Sequence, residues 1–179
     1  VVAEAWFLQE DEKTLQSGLD KQYPGSMNYV GNHFDKSLDP TLLVPGAKSV
    51  VSLLYNYYPE KDLAKTGDLK IAKYAYGKDY HFVLKDKLKE LFDSIKEKIG
   101  DVDGRIFVDS APVMERQWAQ LAGLGWLGKN GLLLNKRMGS FFFIAELIID
   151  LELVPDTPLT GHCGTCTRCI DACPTEAIV

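Results

Sequence analysis

Residues 79–99, DYHFVLKDKLKELFDSIKEKI, carry the clearest helical pattern in the chain. Apolar side chains recur there at intervals of three and four, so they share one stripe of a helix, and lysines and acids fill the opposite face. The stripe consists of Val83, Leu84, Leu88, Leu91, Phe92, Ile95 and Ile99. Gly100 ends the helix. Because the stripe must be buried against another element, these residues predict a packed domain rather than an isolated helix.

Segments that favour β-strands lie on both sides of this helix in the sequence. Residues 49–55, SVVSLLY, follow the Pro45-Gly46 turn and predict a buried strand. Residues 105–108, RIFV, predict a second strand. Residues 141–153 are apolar and favour a strand, but they also contain Glu and Asp residues, so either a strand or a helix is possible there. These elements predict an α+β or α/β fold without fixing the order of the strands.

Two further helices are predicted from caps and breakers. Residues 10–20 carry Leu15 and Leu19 at helical spacing in a polar background. A second helix should begin at a cap on Asp109 or Ser110 and run to about residue 122, because glycine follows there.

Composition limits the class of protein. The 179 residues are 46% hydrophobic and 25% charged, which is typical of a globular domain with its own core. The net charge of −5 repels phosphate, so a nucleic-acid partner would need a local basic patch.

Apolar runs are too short to span a bilayer, and no signal peptide or twin-arginine pair is seen. We expect no membrane contact and a cytoplasmic location. The absence of an initial Met suggests that the natural start lies upstream.

All four cysteines form one cluster near the C-terminal end of the sequence. Cys163, Cys166, Cys169 and Cys173 follow the pattern C-x2-C-x2-C-x3-C, and Pro174 comes next. This is the bacterial ferredoxin spacing, in which the fourth cysteine ligates a neighbouring cluster in two-cluster proteins. Structural zinc is the alternative, but zinc sites usually set two cysteine pairs well apart. We therefore predict an iron–sulfur site. Because no cysteine follows position 173, the chain is expected to be a fragment of a longer, two-cluster protein.

Several motifs outside the cysteine run occur in a fixed order along the chain. They are YAYGKDYH at 74–81, VDSAPVMER at 108–116, AGLGWLGKN at 122–130 and GSFFF at 139–143, together with LVPG at 43–46 and Leu134-Asn135. This set closely resembles the epoxyqueuosine reductase family over nearly the whole chain. The resemblance implies an oxidoreductase that reduces epoxyqueuosine to queuosine in the wobble position of tRNA. It also implies cobalamin, two [4Fe–4S] clusters and an external electron donor as participants.

The resemblance also implies an architecture. We expect an α+β fold, with an α/β-like cobalamin-binding and catalytic domain over residues 1–154. Residues 155–179 would begin a ferredoxin-type iron–sulfur domain that is incomplete here. The second cluster would need residues beyond 179, so the chain alone is expected to be inactive.

Asp109 has two interpretations. From the residues alone, capping a helix is the commoner use of an aspartate at this position. The resemblance instead makes Asp109 the proton donor that assists opening of the epoxide. A helix N-terminus would oppose that role by stabilising the carboxylate, so apolar burial would have to prevail.

The resemblance places cobalamin against Asn32, Leu133, Asn135 and Ile144, and Lys129 is predicted to offer it a further polar group from the same loop as Asn135. The glycines between 125 and 139 would let the backbone approach the cofactor. The residues alone favour simple core packing for Leu133 and Ile144, and a solvated surface position is equally open for Lys129.

His81 and the tyrosines near 55–58 carry weaker signals. Asp79-Tyr80-His81 begins like a cobalt-binding motif, but Leu84 replaces the required glycine, so His81 is predicted to face substrate or cap a helix. Tyr55, Tyr57 and Tyr58 could stack a base, although strand packing is the commoner reason for such residues.

Two other classes of protein share part of this pattern. Reductive dehalogenases resemble the chain in pairing cobalamin with ferredoxin-type clusters, but the Asp109 motif and the lack of an export signal speak against them. A ferredoxin-like electron carrier would not need the long portion before the cysteines.

Overall fold

A computed structural model describes residues 1–60 and 71–178. The strands are β1 (Val2–Glu4), β2 (Ser49–Asn56), β3 (Gly104–Phe107), β4 (Trp126–Leu127), β5 (Leu133–Leu134) and β6 (Phe142–Ile149). The helices are α1 (Gln9–Asp20), α2 (Tyr29–Asn32), α3 (Phe34–Leu38), α4 (Tyr80–Ile99), α5 (Glu115–Leu121) and α6 (Arg168–Asp171), with 3₁₀ turns at Pro40–Leu42 and Lys73–Ala75.

One antiparallel sheet organises the molecule. Its strand order is β1-β2-β6-β3, and a separate hairpin pairs β4 with β5. The long central pairing runs from Ser49 opposite Ile149 to Asn56 opposite Phe142. Because every pair in this sheet is antiparallel, the fold is α+β, and the α/β-like parallel arrangement is not observed.

Helices cover both faces of the sheet. On one face, Leu84 and Leu88 of α4 pack against Ala145 of β6, and Phe92 packs against Leu147. On the other face, Ile148 packs against Trp118 of α5. This division follows from the alternation of side chains along a strand. Full burial of one such apolar side chain contributes about 1.5–3 kcal/mol, so both interfaces stabilise the fold.

Most predicted elements are confirmed. Helix α4 begins one residue after Asp79, whose carboxylate accepts the His81 backbone N–H at 2.9 Å, and it ends at Gly100 with φ 108°. The predicted helix over 10–20 is α1, and the strands predicted at 49–55 and 105–108 are β2 and β3. The open region 141–153 contains strand β6.

The predicted start of the helix after β3 is wrong. Helix α5 begins at Glu115, and neither Asp109 nor Ser110 caps it. Ala111 precedes Pro112, and the proline ring disfavours helical geometry at the residue before it. Residues 109–114 therefore form a loop, in which Asp109 adopts the left-handed conformation with φ 51°.

The segment after β6 returns along the core toward the cysteines. Asp156 accepts the Val2 N–H with its side chain at 2.8 Å and donates its own N–H to the Val2 carbonyl at 2.9 Å. A Cβ on Gly123 would lie 2.4 Å from the Thr157 carbonyl oxygen, so this glycine permits close contact between the core and the segment. Within residues 1–60 and 71–178, no helix combines the length and apolar character needed to cross a bilayer.

Candidate active site and metal centre

One edge of the sheet gathers the candidate catalytic residues. Strand β2 ends at Asn56, opposite Phe142 at the start of β6, and β3 runs in the same direction as β2 and ends at Phe107, opposite Glu146 in the middle of β6. Helix α4 also begins near this edge, because Tyr80 packs against Phe143 of β6. Asp109, two residues after β3, therefore meets side chains from the first turn of α4.

Asp109 lies at the centre of this group. Its Oδ2 accepts a hydrogen bond from the Tyr80 hydroxyl, and His81 Nε2 is 3.8 Å from the same oxygen. The Asp109 side chain is 62% exposed, so it remains accessible to a ligand. Burial raises the pKa of Tyr80, and its hydrogen bond to Asp109 adds to the shift. Tyr80 therefore remains a hydrogen-bond donor to Asp109 at neutral pH.

The first turn of α4 fixes Tyr80 and His81. The Tyr80 ring stacks on Phe143 at 3.9 Å and on His81 at 4.0 Å. Asp79 holds the other side of the histidine, with Oδ1 2.8 Å from Nδ1. Hydrogen bonds from the His81 backbone and side chain lower the pKa of Asp79. Asp79 thus caps the helix, while His81 lies beside Asp109, and its predicted position facing the substrate stays a prediction.

Glu115 supports Asp109 from the other side, and the sequence interpretation missed it. Its Oε1 accepts the Asp109 backbone N–H at 2.6 Å, which helps to hold Asp109 in its left-handed conformation. Burial raises the pKa of Glu115 to about 7, and the charge of Asp109 acts in the same direction. The motif VDSAPVMER contains this glutamate, but only the fold shows what it contacts.

A second acid lies inside the sheet. Glu146 on β6 is fully buried, and its Oε1 accepts a long hydrogen bond of 3.4 Å from the Ser52 hydroxyl. Its Oε2 has no partner within the part of the chain that the structure describes. Burial raises the pKa of Glu146 well above its usual range, and the charge of Glu115 raises it further. Its position inside the apolar run 141–149 was the only sequence signal for this residue.

An open cavity of about 720 Å³ adjoins Asp109. Apolar and polar side chains line it in similar numbers, and Tyr29, His33, Glu115 and Arg116 are among those that supply polar groups. A cavity of this size can hold an organic ligand, and its polar groups could orient that ligand. Arg116 also donates a hydrogen bond to the Gly131 carbonyl, so it joins the cavity to residues 125–139, which we call the glycine-rich loop.

The five predicted cobalamin contacts lie in different environments. Leu133 is 3% exposed and packs with Ala119 and Phe142, and Ile144 packs against the same cluster. Asn135 stabilises its own loop, donating to the Leu124 carbonyl and accepting the backbone N–H groups of residues 137 and 138. Asn32 is exposed at the end of α2, whose residues Tyr29 and Val30 line the cavity.

Lys129 contacts residues 163–173, which we call the cysteine segment. Its Nζ donates to the carbonyls of Gly164 at 2.9 Å and Cys166 at 3.1 Å. The lysine therefore connects the glycine-rich loop to the predicted iron–sulfur site. Packing within the same loop explains why residue 125 is a glycine, because a Cβ there would lie 2.2 Å from the Leu134 carbonyl oxygen. That glycine permits contact between two parts of the protein, whereas the sequence argument assigned it to contact with a cofactor.

The four cysteines follow one another through a turn and a short helix. The Cys166 N–H bonds to the Cys163 carbonyl at 2.9 Å, and Cys169 lies on α6. All four thiols are free, and each is exposed or half-buried. Within the described ranges, no three His, Cys, Asp or Glu side chains converge into an arrangement that could hold a metal ion.

Local hydrogen bonds favour the thiolate form at two of the cysteines. The Lys129 backbone N–H lowers the pKa of Cys163, and the lysine's charge acts in the same direction. Hydrogen bonds from Thr175 lower the pKa of Cys173 to about 7. Thiolate is the form that binds metals, so the chemistry of this donor set fits an iron–sulfur cluster.

Comparison with known proteins identifies the family. Residues 38–110 match the family model described as "Epoxyqueuosine reductase QueG, DUF1730". The chain is 66% identical over 180 aligned residues to the epoxyqueuosine reductase of Cyclobacterium marinum. The chain belongs to the epoxyqueuosine reductase family. The alignment covers 99% of this chain and 58% of the Cyclobacterium protein, so the chain spans little more than half of that relative.

Solved structures of epoxyqueuosine reductases share this fold. The enzyme from Streptococcus thermophilus superposes with a TM-score of 0.88 at 32% identity, covering 99% of this chain and 49% of that one. A crystal structure of an epoxyqueuosine reductase with an epoxyqueuosine-modified tRNA-Tyr stem loop superposes with a TM-score of 0.86 at 30% identity, covering 99% and 48%. The resemblance that the motifs indicated is thus confirmed at the level of the family.

Proposed function

We propose that this chain forms the catalytic part of an epoxyqueuosine reductase, which reduces epoxyqueuosine to queuosine in the wobble position of tRNA. The observation that carries the proposal is the setting of Asp109. This exposed acid adjoins a large cavity, is hydrogen-bonded by Tyr80 and Glu115, and lies in a chain 66% identical to an epoxyqueuosine reductase.

Asp109 is the proposed proton donor. Opening an epoxide leaves charge on its oxygen, and a positioned carboxylic acid can neutralise that charge. The Tyr80 hydroxyl donates a hydrogen bond to Oδ2 of Asp109. Oδ1 is therefore the oxygen that would carry the proton toward the ligand. The helix that was expected to stabilise the Asp109 carboxylate begins instead at Glu115, beyond a loop. The objection raised by the helix dipole therefore applies to Asp109 much less strongly.

The cysteine segment is the proposed electron entry. Cys163, Cys166 and Cys169 would hold one [4Fe–4S] cluster, and Cys173 would ligate a second. The remaining ligands would come from outside residues 1–179. Lys129 would hold the backbone of the first ligand loop through its bonds to Gly164 and Cys166. The electrons themselves would come from an external donor.

Cobalamin would lie between the cavity and the glycine-rich loop, which Arg116 connects. When bound, it supplies a redox-active cobalt that can deliver electrons to the substrate. Asn32, beside the cavity, and Asn135, in the loop, offer amide groups to its polar edge. Leu133 and Ile144 would support it from the core, with backbone atoms as the only available contacts of Leu133 because its side chain is buried. We further propose that the enzyme acts in the cytoplasm.

The proposal is tested on the full-length protein purified without oxygen and mixed with cobalamin. We expect about eight irons per chain and a shifted cobalamin absorption band, followed by queuosine formation in a tRNA that carries epoxyqueuosine. Zinc in place of iron, with an unshifted cobalamin spectrum and no queuosine, would leave only a structural metal domain.

A further inference from the structure

A surface of aromatic rings and lysine lies at the same sheet edge as Asp109. Tyr58 follows β2, and Phe141 immediately precedes β6, with their ring centroids 5.0 Å apart and nearly perpendicular. Lys73 Nζ lies 4.2 Å from the centre of the Tyr58 ring and 5.8 Å from that of Phe141. We call Tyr58, Phe141 and Lys73 the aromatic–lysine patch.

Both rings of the patch are exposed to solvent. Tyr58 is 53% exposed and Phe141 is 40% exposed. Packing of β2 against β6 does not require these rings, because both lie outside the paired residues 49–56 and 142–149. Strand packing, the commoner reason for tyrosines after a strand, therefore leaves the exposed rings unexplained.

A continuous series of ring contacts connects the patch to Asp109. Phe141 contacts Tyr57 at 6.0 Å, Tyr57 contacts Phe143 at 4.7 Å, and Phe143 stacks on Tyr80 at 3.9 Å. Tyr80 in turn bonds to Asp109. A ligand that reaches Asp109 could therefore touch the patch with a neighbouring part of the same molecule.

The chemistry of the patch favours RNA over protein. Unpaired bases stack on exposed aromatic rings whatever their sequence, and lysines nearby bind the backbone phosphates. Lysine is depleted at the centres of protein–protein interfaces, where Lys73 would have to be desolvated. The chain as a whole carries a charge of −5, so binding of a phosphate here would depend on Lys73 itself.

We propose that the aromatic–lysine patch binds an unpaired nucleotide of the RNA loop, adjacent to the nucleotide that enters the Asp109 site. The open side of the Tyr58 and Phe141 rings receives the base, and Lys73 binds a phosphate. This inference rests on the proposed function, since a relative was crystallised with a modified tRNA stem loop. It adds a binding site for a second nucleotide, and none of the contacts that Asp109 makes depends on that site.

The test measures binding of an anticodon stem loop carrying epoxyqueuosine to the full-length protein. Tyr58→Ala and Phe141→Ala should each weaken the affinity by about 5- to 150-fold, the range that corresponds to loss of one base stack. Tyr58→Phe keeps the ring and should bind like the wild type. Conversion at saturating RNA should persist in all three variants.

Trp6→Ala is the matched control. Trp6 is 50% exposed and follows β1, whose Glu4 pairs with Ser49 at the opposite edge of the sheet. Its removal should leave RNA affinity unchanged. A stem loop with an abasic nucleotide next to the modified position should erase the difference between wild type and Tyr58→Ala, because the base that stacks is missing.

Three outcomes decide between the alternatives. Unchanged affinity in Tyr58→Ala and Phe141→Ala, with normal queuosine formation by the wild type, would overturn the patch and leave the proposed function intact. A large fall in the melting temperature of the RNA-free variants, matching the loss of affinity, would instead mark the patch as a contact within the protein and also overturn the proposal. Ring-dependent RNA binding by a wild-type protein that forms no queuosine would support the patch while removing the proposed function.

Discussion

Asp109 differs from an ordinary loop aspartate in its backbone. Its φ of 51° belongs to the left-handed region, which few residues other than glycine adopt, although aspartate does so more readily than most. The Glu115 carboxylate restrains the backbone, and Tyr80 holds the side chain. The carboxyl group thus lies at the wall of the cavity.

The first prediction concerns this carboxyl group. Asp109→Asn removes the acidic proton but keeps the shape and the hydrogen bond from Tyr80. We expect cobalamin binding to persist and queuosine formation to fall by about 100-fold or more, the usual contribution of a general acid. Absorption spectra report binding, and nucleoside analysis of the tRNA reports turnover.

Asp101→Asn, in the exposed turn after α4, serves as the control and should leave both measurements unchanged. Normal turnover by Asp109→Asn would show that another group donates the proton.

The second prediction concerns Glu115 and pH. Burial raises its pKa from 4.5 to about 7 in the folded protein. Between these values the folded state keeps a proton that the unfolded state releases, so stability falls as the pH rises through this window. Glu115→Gln removes the ionisable group while retaining an oxygen for the Asp109 N–H. Across this pH window, the free energy of unfolding of the variant should fall by about 1–3 kcal/mol less than that of the wild type.

Thermal unfolding midpoints measured from pH 4 to pH 8 would check this expectation. Glu97→Gln, on the exposed face of α4, should retain the wild-type slope. An unchanged slope in Glu115→Gln would mean that Glu115 ionises in the folded protein as readily as in water.

At the scale of elements, the glycine-rich loop joins two sites. It contains the β4–β5 hairpin, receives Arg116 from α5 at Gly131, and sends Lys129 to the cysteine segment. Tight internal contact at Gly125 keeps the hairpin closed, so the positions of Lys129 and Asn135 are fixed relative to each other. The loop therefore sets the geometry between the cavity and the predicted cluster.

The third prediction separates two roles for Lys129. Lys129→Ala removes both hydrogen bonds to the cysteine loop, and bonds that involve a charged donor contribute about 1.5–3 kcal/mol each when shielded from water. Because Lys129 is exposed, we expect a smaller effect, seen as lower iron content and faster loss of cluster absorption in air. Cobalamin affinity should change by less than about twofold if the tether is its main role.

Lys136→Ala provides a matched control, since Lys136 is an exposed lysine of the same loop. Unchanged iron together with a large loss of cobalamin affinity would reverse the assignment and restore Lys129 as a cofactor contact.

At the scale of the whole molecule, the cysteine segment follows the core as a separate surface segment. The sheet and its helices form the core, and residues 150–162 lead from the end of β6 to the cysteine segment. Contacts at Val2 and Gly123 hold this connection against the core. The cysteine segment consequently has a defined position beside the glycine-rich loop even though its thiols lie at the surface.

The fourth prediction distinguishes the cysteines. In the full-length protein, Cys163→Ser should remove the first cluster and Cys173→Ser the second, each lowering iron from about eight toward about four per chain. The two variants should retain different clusters, with different electron paramagnetic resonance spectra after reduction. Identical residual spectra would show that all four cysteines serve a single cluster.

The sequence alone determined the features that depend on neighbouring residues. The apolar stripe of 83–99 and the Asp79 cap specify α4, strand-forming runs indicate β2 and β3, and the cysteine spacing predicts an iron–sulfur donor set. The ordered motifs identified the family. Pro112 was a local signal against a helix at 109–114. The prediction of a helix start there gave more weight to the strong preference of aspartate for the N-cap position.

Only the tertiary structure decided which distant residues meet. The antiparallel order β1-β2-β6-β3 brings the end of β3 beside the start of α4, so Asp109 meets Tyr80 across 29 positions of sequence. The same packing places Lys129 against Cys166, 37 positions away, and buries Glu146 opposite Ser52. These contacts arise because burial of the two helix faces fixes the register of the whole sheet, and periodicity within a segment carries no information about its partner.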